Sequence, residues 1–220
     1  MLFRSYLEDG AVEAAEAYLP QLSPERQQAL LRYASPVVRS RSLFGELLAR
    51  CFVAAAGGPP PFALTICRHI KGKPYSPDGR FFFNWAHSGD WVLCGVGPDA
   101  LGVDVERPRR GKSRRAVAAR FFRPEECQAL EAVPEEKRED LFLRYWTMKE
   151  SYLKYTGAGL SGGMKNVDVA ALWAGQGAVA GRNFPLPGGA MAAIVAAPSL
   201  LPTAVTMISV EELRAGLGKH

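Results

Sequence analysis

An α+β fold is what this sequence predicts, and three observations carry that prediction. Helical and extended patterns come in runs without the regular strand, helix, strand alternation of a doubly wound sheet. Apolar residues recur with helical spacing at 41–55 and 135–155, whereas 101–105 is a short apolar run of the kind a buried strand shows. A faint internal repeat relates RSLFGELLAR (41–50) to RYWTMKESYLK (144–154), each with an acid followed four residues on by a base: Glu46 with Arg50, Glu150 with Lys154. Each helix is followed further along by an apolar strand introduced by glycine, at 89–94 and 188–194. The repeat divides the chain near residue 98, into 1–98 and 99–220. Chance likeness between two helix-plus-strand segments accounts for it equally well.

In chain order, helices are expected at 9–19, at 24–34 after the Ser23-Pro24-Glu25 start, and at 41–55, where Gly57-Gly58-Pro59 ends the pattern. Strands are expected at 62–67, 80–84, 91–96 and 101–105, and helices at 113–121, 124–131 and 135–155. Strands at 166–172, 190–196 and 204–210 complete the reading. On the longest helix Leu141, Tyr145, Met148, Tyr152 and Tyr155 form the stripe expected to face the core, with Trp146, Glu150 and Lys154 beside it.

Composition narrows the class. The chain has 220 residues, 48% hydrophobic and 22% charged, enough to bury a core without disulfides or metals. Cys51, Cys67, Cys94 and Cys127 stand far apart with no CxxC pair and read as reduced core thiols. No segment has the roughly 20 uncharged apolar residues of a membrane span, and the acids in MLFRSYLEDG interrupt any signal-peptide core, so the expectation is a cytoplasmic protein without a membrane partner. The net charge of +5 is concentrated in RPRRGKSRR (107–115), a solvated loop or an attractor of an anionic substrate or acidic partner. The run has no interleaved aromatics, so nucleic acid is not the expected ligand.

The segments that carry chemistry are GVDVE (102–106) and WTMKESYLK (146–154). On a strand Asp104 and Glu106 point to one face, and on a helix Glu150 and Lys154 share a face. Three converging carboxylates suggest a magnesium site. Taken alone, Glu150 and Lys154 equally describe an ordinary surface pair worth about 0.2–0.5 kcal/mol.

FNWAHSGDWVLCGV (83–96), LGVDVERP (101–108), RFFRPEE (120–126) and YWTMKESYLKYTGAGLS (145–161) together resemble the 4'-phosphopantetheinyl transferases of the long, surfactin-synthetase-activating (Sfp-type) class. GKP (72–74), the SPER start at 23–26 and the RSLFGELLAR helix extend the likeness over most of 23–196. The resemblance implies a monomeric pseudo-dimer of two similar α+β halves with the active site in the cleft between them, the first half holding coenzyme A, the second the metal and the base. It implies transfer of the phosphopantetheine arm of coenzyme A to a serine of an apo acyl or peptidyl carrier protein, with Mg2+, releasing adenosine 3',5'-bisphosphate. Fatty-acid, polyketide and nonribosomal-peptide carriers all fit.

By the same resemblance Asp104, Glu106 and Glu150 are metal ligands. Glu150 also serves as the base, directly or through water, and Lys154 contacts the phosphates and the leaving group. Arg41, Lys73, Pro74, His87 and Ser88 match coenzyme A contacts, and Arg26 is a looser match for the 3'-phosphate. Ala86 departs from the family, which has a serine there. The residue types leave two alternatives open: another magnesium-dependent phosphodiester-cleaving enzyme, or a non-catalytic binder of coenzyme A or carrier protein.

Overall fold

A computed structural model of the protein describes residues 2–6, 11–70, 72–109, 114–159 and 163–218. The first half runs β1 (Leu2–Tyr6), α1 (Ala11–Glu16), α2 (Pro24–Leu31), α3 (Pro36–Ala55), the short β2 (Cys67–Arg68) and β3 (Pro74–Tyr75), then the hairpin β4 (Phe82–Ser88) and β5 (Trp91–Gly97). The second runs β6 (Leu101–Glu106), α4 (Arg114–Phe121), α5 (Pro124–Ala132), α6 (Glu135–Thr156), α7 (Val169–Ala174) and the hairpin β7 (Ala180–Pro185) and β8 (Met191–Ala196). Both sheets share one plan. The second hairpin strand lies in the middle and pairs antiparallel with the first strand of its half: β4-β5-β1 in one, β7-β8-β6 in the other. The glycines of the sequence repeat sit at the two hairpin turns with left-handed backbone, φ 59° at Gly89 and 71° and 74° at Gly188 and Gly189, which explains their type.

The tail crosses back. β9 (Thr206–Ile208) extends the first sheet parallel to β1, and α8 (Val210–Leu217) packs Leu213 and Leu217 into the core beneath α3. Residues 206–217, assigned by sequence to the second half, therefore pack with the first.

Local chemistry explains where expectation and structure part. At 62–67 the consecutive prolines 59–61 leave a 3-10 turn, Pro61–Ala63, and only Cys67–Arg68 extended. At 166–172 the alternating Val167-Asp168-Val169 looks extended, but the Asp168 side chain accepts from Ala171 N at 3.0 Å and starts α7. At 204–210 the strand stops at Ile208, because Ser209 and Glu212 form a capping box that opens α8.

The α6 stripe is also corrected. Met148 is buried, but Leu141, Tyr145, Tyr152 and Tyr155 are only half-buried, while Phe142, Leu143, Thr147, Lys149, Ser151 and Leu153 are fully buried. The helix is covered from two sides. Met148 packs on Ala193 and Val195 of β8, and Ser151 Oγ donates to Ala193 O at 3.1 Å. Opposite, Phe142 stacks on Phe122, with ring centroids 5.1 Å apart. All four cysteines are free thiols. No helix among the described residues is long and apolar enough to cross a membrane.

Close approach of β6 to α6 depends on Gly102, where a Cβ would lie 2.1 Å from Ser151 O and 2.3 Å from Tyr155 N. These are backbone atoms and cannot step aside. Gly102→Ala is expected to cost about 1–3 kcal/mol by overpacking and to spread the strand from the helix. A denaturant midpoint within error of the parent would contradict it.

Candidate active site

Val103 and Val105 of β6 enter an apolar cluster with Trp91 and Leu93, so the intervening Asp104 and Glu106 share the opposite face. That face meets Glu150 and Lys154 on α6. Lys154 Nζ lies 2.7 Å from Asp104 Oδ1, joining strand to helix. Asp104 is 6% exposed, and its Oδ2 is buried without a hydrogen-bond partner. Burial pushes the Asp104 carboxyl up to about 7; Lys154 opposes this, while Glu150 and Glu106 add to it by repulsion. Burial and then Glu106 likewise hold Glu150 above the usual carboxylate range, against the pull of Lys154. The surface-pair alternative fails, since Lys154 belongs to a buried carboxylate on another element.

Ser88, at the end of β4, faces inward, and its hydroxyl donates to Glu106 Oε2 at 2.6 Å while accepting from Arg107 N at 3.3 Å. It thus fixes the carboxylate. His87 faces the other way, exposed, as alternation along a strand requires. Partial burial, then the charges of Arg41 and Lys154, lower the His87 pKa and favour the neutral ring. Arg41 on α3 stands 3.6 Å from Asp90 Oδ1, and its Nε is buried without a hydrogen-bond partner. Ala86 is buried among Leu93, Leu101 and Val103, a place where a serine hydroxyl would need its own partner.

The two halves meet directly. Asn84 Oδ1 on β4 accepts from Val103 N on β6 at 2.9 Å, and Lys73 Nζ donates to Tyr155 O near the end of α6 at 2.7 Å. Burial lowers the Lys73 pKa. Between them opens a cleft of about 260 Å³ walled by Arg68, Lys73, Pro74 and Trp85 from the first half and Glu150 and Lys154 from the second. A larger cavity of about 600 Å³ lies across Lys73 and Pro74, lined by His69, Tyr75, Phe81, Phe82 and Leu101; it is larger but holds none of the carboxylates. Of the two, the smaller cleft is the one that one of the carboxylates, Glu150, lines.

Three residues of this neighbourhood escape the sequence reading. Arg68 stacks its guanidinium 5.5 Å from the Trp85 ring centroid. Asn84 bridges the sheets, and Arg109 donates to both Glu106 oxygens at 3.2 and 3.3 Å. Arg26 turns to Glu46, with Nε to Oε2 at 2.6 Å. Within the basic run, Arg114 pairs with Glu139 and covers the Phe142 ring, and Arg115 pairs with Glu131; residues 110–113 lie outside the described residues.

Among the described residues no group of three His, Cys, Asp or Glu side chains stands close enough together to hold a metal ion. The donor set nevertheless fits a hard divalent cation that retains waters: it is all carboxylate, it repels itself, and Asp104 Oδ2 lacks a partner.

Comparison with known proteins places this arrangement. The family model described as the 4'-phosphopantetheinyl transferase superfamily matches residues 100–194, the span from β6 to β8. The chain is 35% identical over 141 residues to a 4'-phosphopantetheinyl transferase of Bacillus subtilis, covering 64% of this chain and 62% of that relative. It is 34% identical over 152 residues to 4'-phosphopantetheinyl transferase psf-1 of Bacillus pumilus, covering 69% and 64%. Over nearly full length, 91% of this chain and 93% of the relative, it is 28% identical to 4'-phosphopantetheinyl transferase Sfp of Bacillus subtilis (strain 168).

Proposed function

Because this chain belongs to the 4'-phosphopantetheinyl transferase superfamily, we propose that it transfers the phosphopantetheine arm of coenzyme A to a serine of an apo acyl or peptidyl carrier protein in the cytoplasm, releasing adenosine 3',5'-bisphosphate. The observation that carries this reading is the shared cleft: Glu150 and Lys154 from one half open onto the same space as Arg68 and Lys73 from the other. A pyrophosphate needs cations along its length and a proton acceptor at the reacting end, and both are provided there. The division of labour follows residues 1–98 and 99–220, with nucleotide contacts in the first and acid chemistry in the second, apart from the tail that packs on the first.

Asp104, Glu106 and Glu150 would hold Mg2+, which when bound supplies charge neutralisation on the pyrophosphate oxygens. Ser88 and Arg109 orient Glu106, and Lys154 orients Asp104. In the transfer the serine oxygen of the carrier forms the new bond to phosphorus and the bond to the bridging pyrophosphate oxygen breaks. Glu150 takes the serine proton, a role supported by its place on the cleft wall beside Lys154. Lys154 and Lys73 stabilise the departing bisphosphate as point charges. His87, exposed and within the field of Arg41, and Pro74 on the cleft wall contact the nucleotide portion.

The test is incubation with coenzyme A, Mg2+ and an apo carrier, followed by mass analysis of the carrier. A gain of one phosphopantetheine supports transfer. Bisphosphate release without that gain makes the protein a hydrolase, and binding without turnover makes it a non-catalytic binder. Carrier docking narrows to the outer part of the basic run, where Arg115, its side chain 82% exposed, pairs with the exposed Glu131 and still faces solvent. Arg115→Ser is expected to raise the carrier KM about twofold at low salt and not at high salt, since rim charges act on encounter. An unchanged KM at low salt would remove this residue from the docking face.

A further inference from the structure

Of the acids proposed to hold the cation, Glu106 is the one whose two oxygens are both in use. Ser88 donates to Oε2 at 2.6 Å, and Arg109 NH2 bridges the carboxylate, 3.3 Å from Oε1 and 3.2 Å from Oε2. The two donors differ in kind. Ser88 is neutral and buried, so its bond to Oε2 survives the approach of a cation to the other lone pairs. Arg109 carries a charge of its own, and a second cation arriving at the same carboxylate is repelled by it. Arg109 reaches no further into the site: among the described residues it forms no hydrogen bond or ion pair with Asp104 or Glu150, and Asp104 Oδ2 stays without a partner.

Arg109 also belongs to the basic run. Its backbone N–H donates to Glu139 Oε1 at 3.4 Å, and Arg114 Nε donates to Oε2 of the same carboxylate at 2.9 Å, so one acid of α6 steadies residues 109 and 114 together. The Arg109 side chain is 48% exposed, so its guanidinium can leave Glu106 for solvent while the backbone stays in place. Arg114 pairs with Glu139 and Arg115 with Glu131, acids outside the site; among the described arginines of the run only Arg109 pairs with a proposed ligand. The positive charge that the run shows to a partner therefore depends on what occupies Glu106.

We propose that Arg109 is an exchangeable cation: a divalent ion that reaches Glu106 displaces its guanidinium, which turns to solvent and there meets the acidic surface of the carrier protein. Cation and carrier are then coupled through one side chain. Each strengthens the binding of the other by the same factor, because both draw on the same ion pair. An exposed pair contributes little, so the factor is small, about threefold. The identity of the partner rests on the transferase reading, whereas the exchange on Glu106 does not.

Titration with Mn2+, read from the electron paramagnetic resonance signal of the free ion in the absence of coenzyme A and carrier, tests the exchange. Arg109→Gln is expected to bind Mn2+ about threefold more tightly than the parent. Arg107→Gln is the control for net charge: its side chain lies over Gly89 and forms no ion pair among the described residues, and its removal should change the affinity less than about 1.5-fold. An affinity unchanged or weakened in Arg109→Gln, equal gains in both variants, or a parent that takes up no Mn2+ overturns the exchange. The link to the carrier is read by calorimetry with apo carrier, with and without Mg2+ and without coenzyme A, so that no turnover occurs. Mg2+ should tighten carrier binding to the parent about threefold and to Arg109→Gln by less than half of that gain. Equal tightening in both, or none in the parent, overturns the link. If the parent modifies no carrier in the mass assay, the transferase reading fails, and the Mn2+ titration still decides for or against the exchange.

Discussion

Glu150→Ala is expected to reduce carrier modification by about 10³-fold or more, with the fold intact. General base catalysis alone contributes about 10²–10⁴, and the same side chain belongs to the oxygen set proposed for the cation. Glu150 is half-buried on α6, and among the described residues no hydrogen bond or ion pair to it accompanies its electrostatic coupling to Lys154 and Glu106. Loss of one acid also relieves repulsion on Asp104 and leaves the Asp104 to Lys154 pair in place. The measurement is the rate of carrier mass increase, beside a thermal denaturation curve. A rate within tenfold of the parent at equal stability would remove Glu150 from the chemistry. Glu150→Gln separates the two roles: it keeps one oxygen for a cation and loses the base, so Mn2+ affinity should fall less than the rate.

How much of this was readable depends on whether the relevant contact is local. The helix at 135–155 was found as Glu135–Thr156, and the strands at 91–96, 101–105 and 190–196 as Trp91–Gly97, Leu101–Glu106 and Met191–Ala196, because each has a strong pattern within its own length. β1 and β7 were missed. LFRSY and AGRNFP have weak strand patterns and are extended through pairing with β5 and β8, partners distant in sequence. α8 carried a visible signal, Ser209 three residues before Glu212, which the strand reading of 204–210 overrode. In the site, Asp104, Glu106, Glu150 and Lys154 were legible because period and motif are both local. The arginines on Glu46 were not: Glu46 and Arg50 are a readable i, i+4 pair, but Arg26 and Arg68 arrive from other segments. The Ser88 hydroxyl is turned to Glu106, a contact between β4 and β6 that the motif does not encode.

Lys149 carries the largest stability effect expected here, and its sequence position hides it. It falls off the apolar periodicity of α6, leaving a surface or phosphate-facing role open, yet its side chain is 0% exposed. The reason is that α6 has no wet side at this level. Its Nζ lies 2.9 Å from Glu126 Oε2 and donates to Met164 O at 3.1 Å and Val167 O at 2.9 Å, using all three donors. Glu126 also accepts from Arg123 N at 2.8 Å, so one ion pair ties the start of α5 to α6 and to the segment that returns from its end. Lys149→Met keeps the length and loses the charge, leaving Glu126 buried without its counter-ion and two carbonyls without donors. Breaking one side of such a pair costs about 3–5 kcal/mol. The denaturant midpoint should fall accordingly, and Lys149→Met combined with Glu126→Gln should recover a substantial part, because the second change removes the stranded charge. A single variant that loses less than about 1 kcal/mol, or a double variant no better than the single, would mean that the pair is not what holds the segment after α6 against the catalytic helix.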